Sequence, residues 1–97
     1  MDALKKRRPG SKPPVPCFCY ILECSDGSYY TGWTTDLERR LLAHASRRGG
    51  RYTRSRLPVR LVHVETLPDR SAAMRREAEV KKMTRLEKEV LVRTKEK

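Results

Sequence analysis

No apolar run in this chain of 97 residues approaches the roughly 20 residues that a helix needs to cross a bilayer, which excludes a helical membrane span. The start of the chain also lacks the apolar core of a secretory signal, being charged and proline-rich, so a cytoplasmic, reduced protein is expected. Acidic residues are scarce, 12 against 23 Lys plus Arg, giving a formal charge of +11. A field of that sign around a small body makes polyanions the natural partners, nucleic acids above all, although a ribosomal or membrane-surface protein would share the balance. Cysteine is confined to Cys17, Cys19 and Cys24. That grouping lacks the paired spacing of zinc modules, and a cluster would have to recruit His44 or His63, so buried or strand-borne thiols are expected instead. The length leaves room for one small domain and no second core.

Charge and periodicity divide what is present. Residues 1–16 hold four of the six prolines and a net charge of +4, the composition of a flexible basic tail that serves either as an electrostatic arm on nucleic acid or as a solubilising extension. Residues 17–97 retain 18 cations against 11 acids and form the single expected domain. From Cys17 to Cys24 the run is β-prone, with Phe18, Tyr20 and Leu22 on one face and Cys19, Ile21 and Glu23 on the other. Ser25-Asp26-Gly27-Ser28 supplies a turn, and Tyr29-Tyr30-Thr31 returns as a second strand. Thr35 and Glu38 stand at capping-box spacing ahead of a helix whose stripe is Leu37, Leu41 and Ala45, bordered by Arg40 and His44 and ending near Gly49-Gly50.

Arg47, Arg48, Arg51, Arg54 and Arg56, with Tyr52 among them, then predict an exposed cationic loop suited to gripping backbone phosphates. Val59 to Thr66 reads as a third strand. Asp69 or Ser71 caps a helix running to about Met83, and Thr84 with Glu87 opens a last one with Leu86, Val90 and Leu91 facing inward. The expected fold is α/β (α+β): a small three-stranded mixed or antiparallel sheet flanked by helices in the order β-β-α-loop-β-α-α.

A handful of these residues suit phosphodiester chemistry. Glu77 lies among Ala73, Met74 and Val80 on the stripe predicted to face inward, where an unpaired carboxylate is costly. It is either salt-bridged to Arg40 or another arginine, or it holds a hard divalent cation, since Mg²⁺ needs only one or two protein carboxylates. Tyr20 and Tyr30 can share a site only if the hairpin loop has an odd register that pairs Tyr30 with Leu22 or Cys24; a loop of two or four residues sends them to opposite faces. The odd register is the prediction. Arg40 offers a permanent fork for a phosphate, and His44, one turn later, can move a proton near neutral pH. His63 and Trp33 read as structural.

Phe18-Cys19-Tyr20, Tyr30-Thr31-Gly32, the Tyr30–Arg40–His44 spacing and Ser71-Ala72-Ala73-Met74-Arg75-Arg76-Glu77-Ala78 together resemble the GIY-YIG nuclease superfamily, in particular its small stand-alone bacterial members, over roughly residues 17–92. The resemblance implies an endonuclease that depends on Mg²⁺ or Mn²⁺, with Tyr20 helping to activate water, Tyr30 assisting, Arg40 holding the scissile phosphate, His44 aiding proton transfer and Glu77 holding the metal. DNA is expected over RNA; and because the chain lacks an added DNA-recognition domain, branched or damaged structure is expected as the target over a fixed sequence. The first triplet keeps only its tyrosine, and the chain contains no asparagine, whereas many larger relatives carry one near the domain's end. The rival reading is a module that kept the fold and binds nucleic acid without cutting it.

Overall fold

The computed structural model describes residues 15–46, 48 and 50–94, so the expected tail lies outside the described residues except for Val15 and Pro16, as does Arg47. The elements run β1 (Cys17–Glu23), β2 (Tyr29–Thr34), α1 (Leu37–Ala45), α2 (Arg51–Arg54), β3 (Arg60–Leu67), α3 (Arg70–Lys81) and α4 (Arg85–Thr94). β1 occupies the centre of a three-stranded sheet of order β2-β1-β3. Both pairings are antiparallel.

The hairpin has the odd register. The Cys24 amide donates to the Ser28 carbonyl at 2.8 Å and the Gly27 amide to the Cys24 carbonyl at 2.9 Å, closing a loop of Ser25, Asp26 and Gly27. Gly27 takes φ +86°, the left-handed conformation such a loop demands and one that costs a residue with a Cβ. Leu22 therefore lies opposite Tyr30, and Tyr20 opposite Gly32. Because strand side chains alternate, Tyr20, Tyr30 and Gly32 share one face.

Both faces of β1 are covered, which is why its run reads as continuously apolar. On one side Cys19, Ile21 and Val80 form a buried cluster, with Val62 of β3, Met83 of the turn between α3 and α4, and Leu91 and Val92 of α4 packed around it. On the other side Tyr20 and Leu22 are buried beneath α1 and α2. The three thiols are buried and free. Burial is the main cause that raises the Cys19 thiol to about 11, so it is inert.

Several local expectations change. The α1 cap is Asp36, not Thr35: its carboxylate accepts from the Arg39 amide at 3.1 Å, while the Thr34 hydroxyl accepts from the Asp36 amide at 3.1 Å and fixes the entry turn. The helix stops at Ala45, short of the paired glycines, and Ala45 is exposed whereas His44 is its buried residue. The arginine-rich segment is not wholly loop, because Arg51–Arg54 make a helical turn that buries Thr53. Asp69 caps α3 through the Ala72 amide at 2.9 Å. Met74, expected inward, is 53% exposed, leaving Ala73, Glu77 and Val80 as the stripe toward the sheet. Thr84 and Glu87 do form a reciprocal capping box, at 2.9 and 3.1 Å. The helix they start presents Leu91 and Val92 to the core, so Leu86 and Val90, on its other side, are 66% and 50% exposed.

Candidate active site

Tyr20 is held at the middle of the central strand, and its ring passes directly over Gly32. An ideal Cβ at Gly32 would meet the Tyr20 hydroxyl at 2.6 Å and Cζ at 2.8 Å, so the absent side chain is what lets the ring lie flat there. The Tyr20 hydroxyl reaches His44 Nε2 at 3.1 Å, and the other ring nitrogen, Nδ1, reaches the Thr53 hydroxyl at 2.8 Å. Tyr20 is 1% exposed, and His44 and Thr53 are fully buried. Tyr30 closes the group from β2, with its ring 5.2 Å from the His44 ring and 6.4 Å from the Tyr20 ring. The guanidinium of Arg40, one turn before His44 on α1, hydrogen-bonds both tyrosine hydroxyls. Four of the five residues singled out in the sequence thus meet at one point.

The electrostatics of that point are set by burial and by one cation. Burial raises the pKa of Tyr20 above the ordinary tyrosine value, and the bond from Arg40 pulls back against it. Burial, and then the charge of Arg40, push His44 down to about 4. At neutral pH the group is therefore a protonated phenol against a neutral imidazole, beneath a fixed positive charge.

Glu77 comes from α3, whose stripe packs on the Cys19 and Ile21 side of β1. Its side chain is 22% exposed and pairs with Lys81 at 3.4 Å. Its negative charge acts on both Cys19 and Tyr20, raising each pKa. The carboxylate stands in a different layer from the tyrosines, and what links it to Tyr20 is the reach of its charge.

Among the described residues no group of three or more His, Cys, Asp or Glu side chains is arranged to hold a metal. Structural zinc, which wants a closed set of four ligands, does not fit such a site. One accessible carboxylate with a weakly held lysine does fit a hard cation that keeps its waters and takes other oxygens from a bound phosphate.

Of the residues expected to grip nucleic acid, Arg48, Arg51 and Arg54 are exposed. Arg56 is engaged within the protein: it pairs with Asp26 at 3.0 Å, donates to the Tyr52 carbonyl at 3.0 Å and lies 3.9 Å over the Tyr52 ring. Tyr52, 37% exposed, leans on Tyr30 at 5.8 Å. This chain of contacts ties the hairpin loop to α2 and backs the Tyr30 ring. His63, read from the sequence as structural, has Nε2 2.8 Å from Glu65, whose carboxylate also takes two bonds from Arg76.

Sequence reasoning missed Thr53. A hydroxyl in a run of arginines carries no period, and the only available signal was that paired glycines precede a short segment able to turn back over α1. It also treated Gly32 only as part of a motif, although the motif itself places a residue without a side chain two positions after Tyr30.

A small antiparallel sheet flanked by helices, whose Tyr20 and Tyr30 meet Arg40 and His44 of α1 about one point, is the arrangement of a nuclease domain. The profile of the GIY-YIG catalytic domain matches residues 16–89, and the chain belongs to that family. Within it the chain is similar to small proteins known by a family designation. It is 51% identical over 72 residues to the UPF0213 protein VNG_2274C of Halobacterium salinarum, covering 74% of this chain and 94% of that one. It is 55% identical over 75 residues to the UPF0213 protein BH0048 of Halalkalibacterium halodurans, covering 77% and 80%. The solution NMR structure of BH0048 superposes with a TM-score of 0.56 at 52% identity, over 82% of this chain and 85% of that one. That of the protein EF2693 from E. faecalis does so with a TM-score of 0.58 at 42% identity, over 87% and 90%. The family implies a nucleic acid as substrate. No helix among the described residues is long and apolar enough to cross a membrane.

Proposed function

We propose that the protein is a cytoplasmic, divalent-metal-dependent endonuclease that hydrolyses phosphodiester bonds in DNA and selects structure, such as a branch or a lesion, over sequence. The observation that carries this reading is the contact of Tyr20 with His44 under Arg40: a neutral proton acceptor lies 3.1 Å from a phenol that a fixed positive charge already touches.

The scissile phosphate docks on Arg40, a fixed cation beside both tyrosine hydroxyls that neutralises the charge gathering on phosphorus oxygens. A phosphodiester placed there also cancels the part of the His44 shift that Arg40 causes, making the imidazole a better base when substrate is present. Water then loses a proton to the Tyr20 oxygen as the Tyr20 proton passes to His44 Nε2. The water oxygen bonds to phosphorus, the ester bond to the leaving oxygen breaks, and that oxygen takes a proton from solvent. Tyr20 acts as a relay and need not ionise first, which fits a phenol whose pKa burial has raised. Tyr30 holds Arg40 in place and walls the site.

Glu77 would hold Mg²⁺ or Mn²⁺ together with waters and phosphate oxygens, the cation supplying charge neutralisation at the reacting phosphate. Arg48, Arg51 and Arg54 would lie along the flanking backbone, and Tyr52 and Arg56 would contribute chiefly by bracing the Tyr30 ring. The deciding experiment incubates the purified protein with linear, nicked and branched DNA and with RNA, with and without each metal. Metal-dependent cutting strongest on nicked or branched DNA is expected; salt-sensitive binding without cutting on any substrate would mean a binding module.

A further inference from the structure

Thr53 has no part in the family motifs quoted above, yet it is one of the few fully buried polar residues and makes the shortest bond to the His44 ring. A neutral imidazole carries one N–H, and which nitrogen bears it is decided by the partners. Both neighbours of His44 are hydroxyls, each able to give or accept, so the choice depends on what else those hydroxyls touch.

The two ends agree. At Nε2, the Tyr20 oxygen already accepts from Arg40, a group that can only donate, so the phenol proton is left to point at the nitrogen. At Nδ1, the Thr53 hydroxyl has an outlet for its own proton in the Gly50 carbonyl, 3.5 Å away and able only to accept, which leaves its lone pair for the ring. Gly50 is the residue from which α2 starts, so the turn itself aims the carbonyl at the hydroxyl three residues on. The groups facing His44 are Tyr20 on β1, Tyr30 on β2, Arg40 on its own helix and Thr53 on α2.

We infer that Thr53 is a positioning residue that holds the proton of His44 on Nδ1 and so keeps Nε2 bare toward the Tyr20 hydroxyl. The role rests on the nuclease reading for its purpose, and its geometry stands without it. When Nε2 takes the Tyr20 proton, the Nδ1–H bond to Thr53 remains and holds the imidazolium in register. With the other tautomer the ring would present a proton to Tyr20 and the relay would have no acceptor.

The test has a readout that needs no cleavage. Long-range ¹⁵N–¹H NMR of the uniformly labelled protein near pH 7 reads the protonation of each His44 nitrogen, assigned by loss of the signals in His44→Gln. The expected result is a protonated Nδ1 and a bare Nε2 in wild type, unchanged in Thr53→Ser, and a shift toward protonated Nε2 in Thr53→Val. In cleavage assays Thr53→Val should lose about 100-fold in kcat with KM little changed, and Thr53→Ser should recover most of it, since a positioned proton acceptor contributes on the order of 100-fold or more. A protonated Nε2 in wild type overturns the inference, even if Thr53→Val does not fold. So does a folded Thr53→Val that keeps the wild-type tautomer or kcat. A tautomer switch in a protein that cuts nothing supports the assignment and overturns the nuclease reading instead.

Discussion

Gly32→Ala tests the packing that places the Tyr20 hydroxyl. A Cβ there would stand 2.6 Å from that oxygen, and ordinary contact begins at 3.4 Å, so the hydroxyl must retreat by about 0.8 Å. Its neighbours oppose that retreat: Tyr20 is 1% exposed, with His44 at 3.1 Å on one side and the Tyr30 ring, itself 3.2 Å from the new methyl, on the other. Overpacking of this kind costs about 1–3 kcal/mol, and a misplacement near 1 Å in a reacting group costs on the order of 100-fold in rate. Urea denaturation should show the first and single-turnover cleavage the second. Gly27→Ala is the matched control, because its site has open space and only the positive φ opposes the methyl, so it should lose about 1 kcal/mol with an unchanged rate per folded molecule. Gly32→Ala that is as stable and as active as wild type would refute the close approach of Tyr20 to the strand.

Glu77→Gln should abolish metal-stimulated cutting while DNA affinity, measured in Ca²⁺ or without metal, changes less than about threefold; retained cutting would mean the cation is held elsewhere. Arg40→Ala should lower cleavage by at least about 100-fold and also weaken binding, since it removes the phosphate fork, and Arg40→Lys should recover little because a point charge cannot serve two hydroxyls and a phosphate together. Stability should fall with acid through His44. Its folded pKa of about 4 lies below the ordinary 6.5, so between those values the unfolded chain binds more protons. The contribution is complete above pH 6.5, has lost about 2 kcal/mol by pH 5, and is gone below the folded value of about 4. Urea melts at pH 7 and pH 5 should show that loss in wild type and not in His44→Gln; equal slopes would show that the ring is not buried in its neutral form.

The parts of the fold legible in the sequence were those governed by neighbouring residues. An odd loop around Asp26-Gly27 set the register and with it the shared face of Tyr20 and Tyr30, and Thr84 with Glu87 formed the capping box their spacing predicted. What failed depended on contacts between distant elements. Leu86 and Val90 have the right spacing for an inward stripe, but β3 meets α4 through Leu91 and Val92. Ala45 continues an apolar pattern on α1, yet the buried position belongs to His44, because Tyr20 from β1 and Thr53 from α2 give a polar ring two partners there. For the site, residue types and spacing identified Tyr20, Tyr30, Arg40 and His44 as a group that the fold does assemble. That Glu77 stands in the opposite layer, paired with Lys81 on its own helix, is a property of the α3 packing that helical spacing alone does not contain.

The central claim is that Tyr20 relays a proton for metal-dependent hydrolysis of DNA. Its most direct test is single-turnover cleavage of a branched DNA by wild type and Tyr20→Phe, each with and without Mg²⁺, alongside a binding titration. Cutting by wild type only with the metal, and loss of at least about 100-fold in Tyr20→Phe at equal affinity, is the predicted result. Cutting by Tyr20→Phe at the wild-type rate, or no cutting by wild type on any DNA despite tight binding, would contradict it.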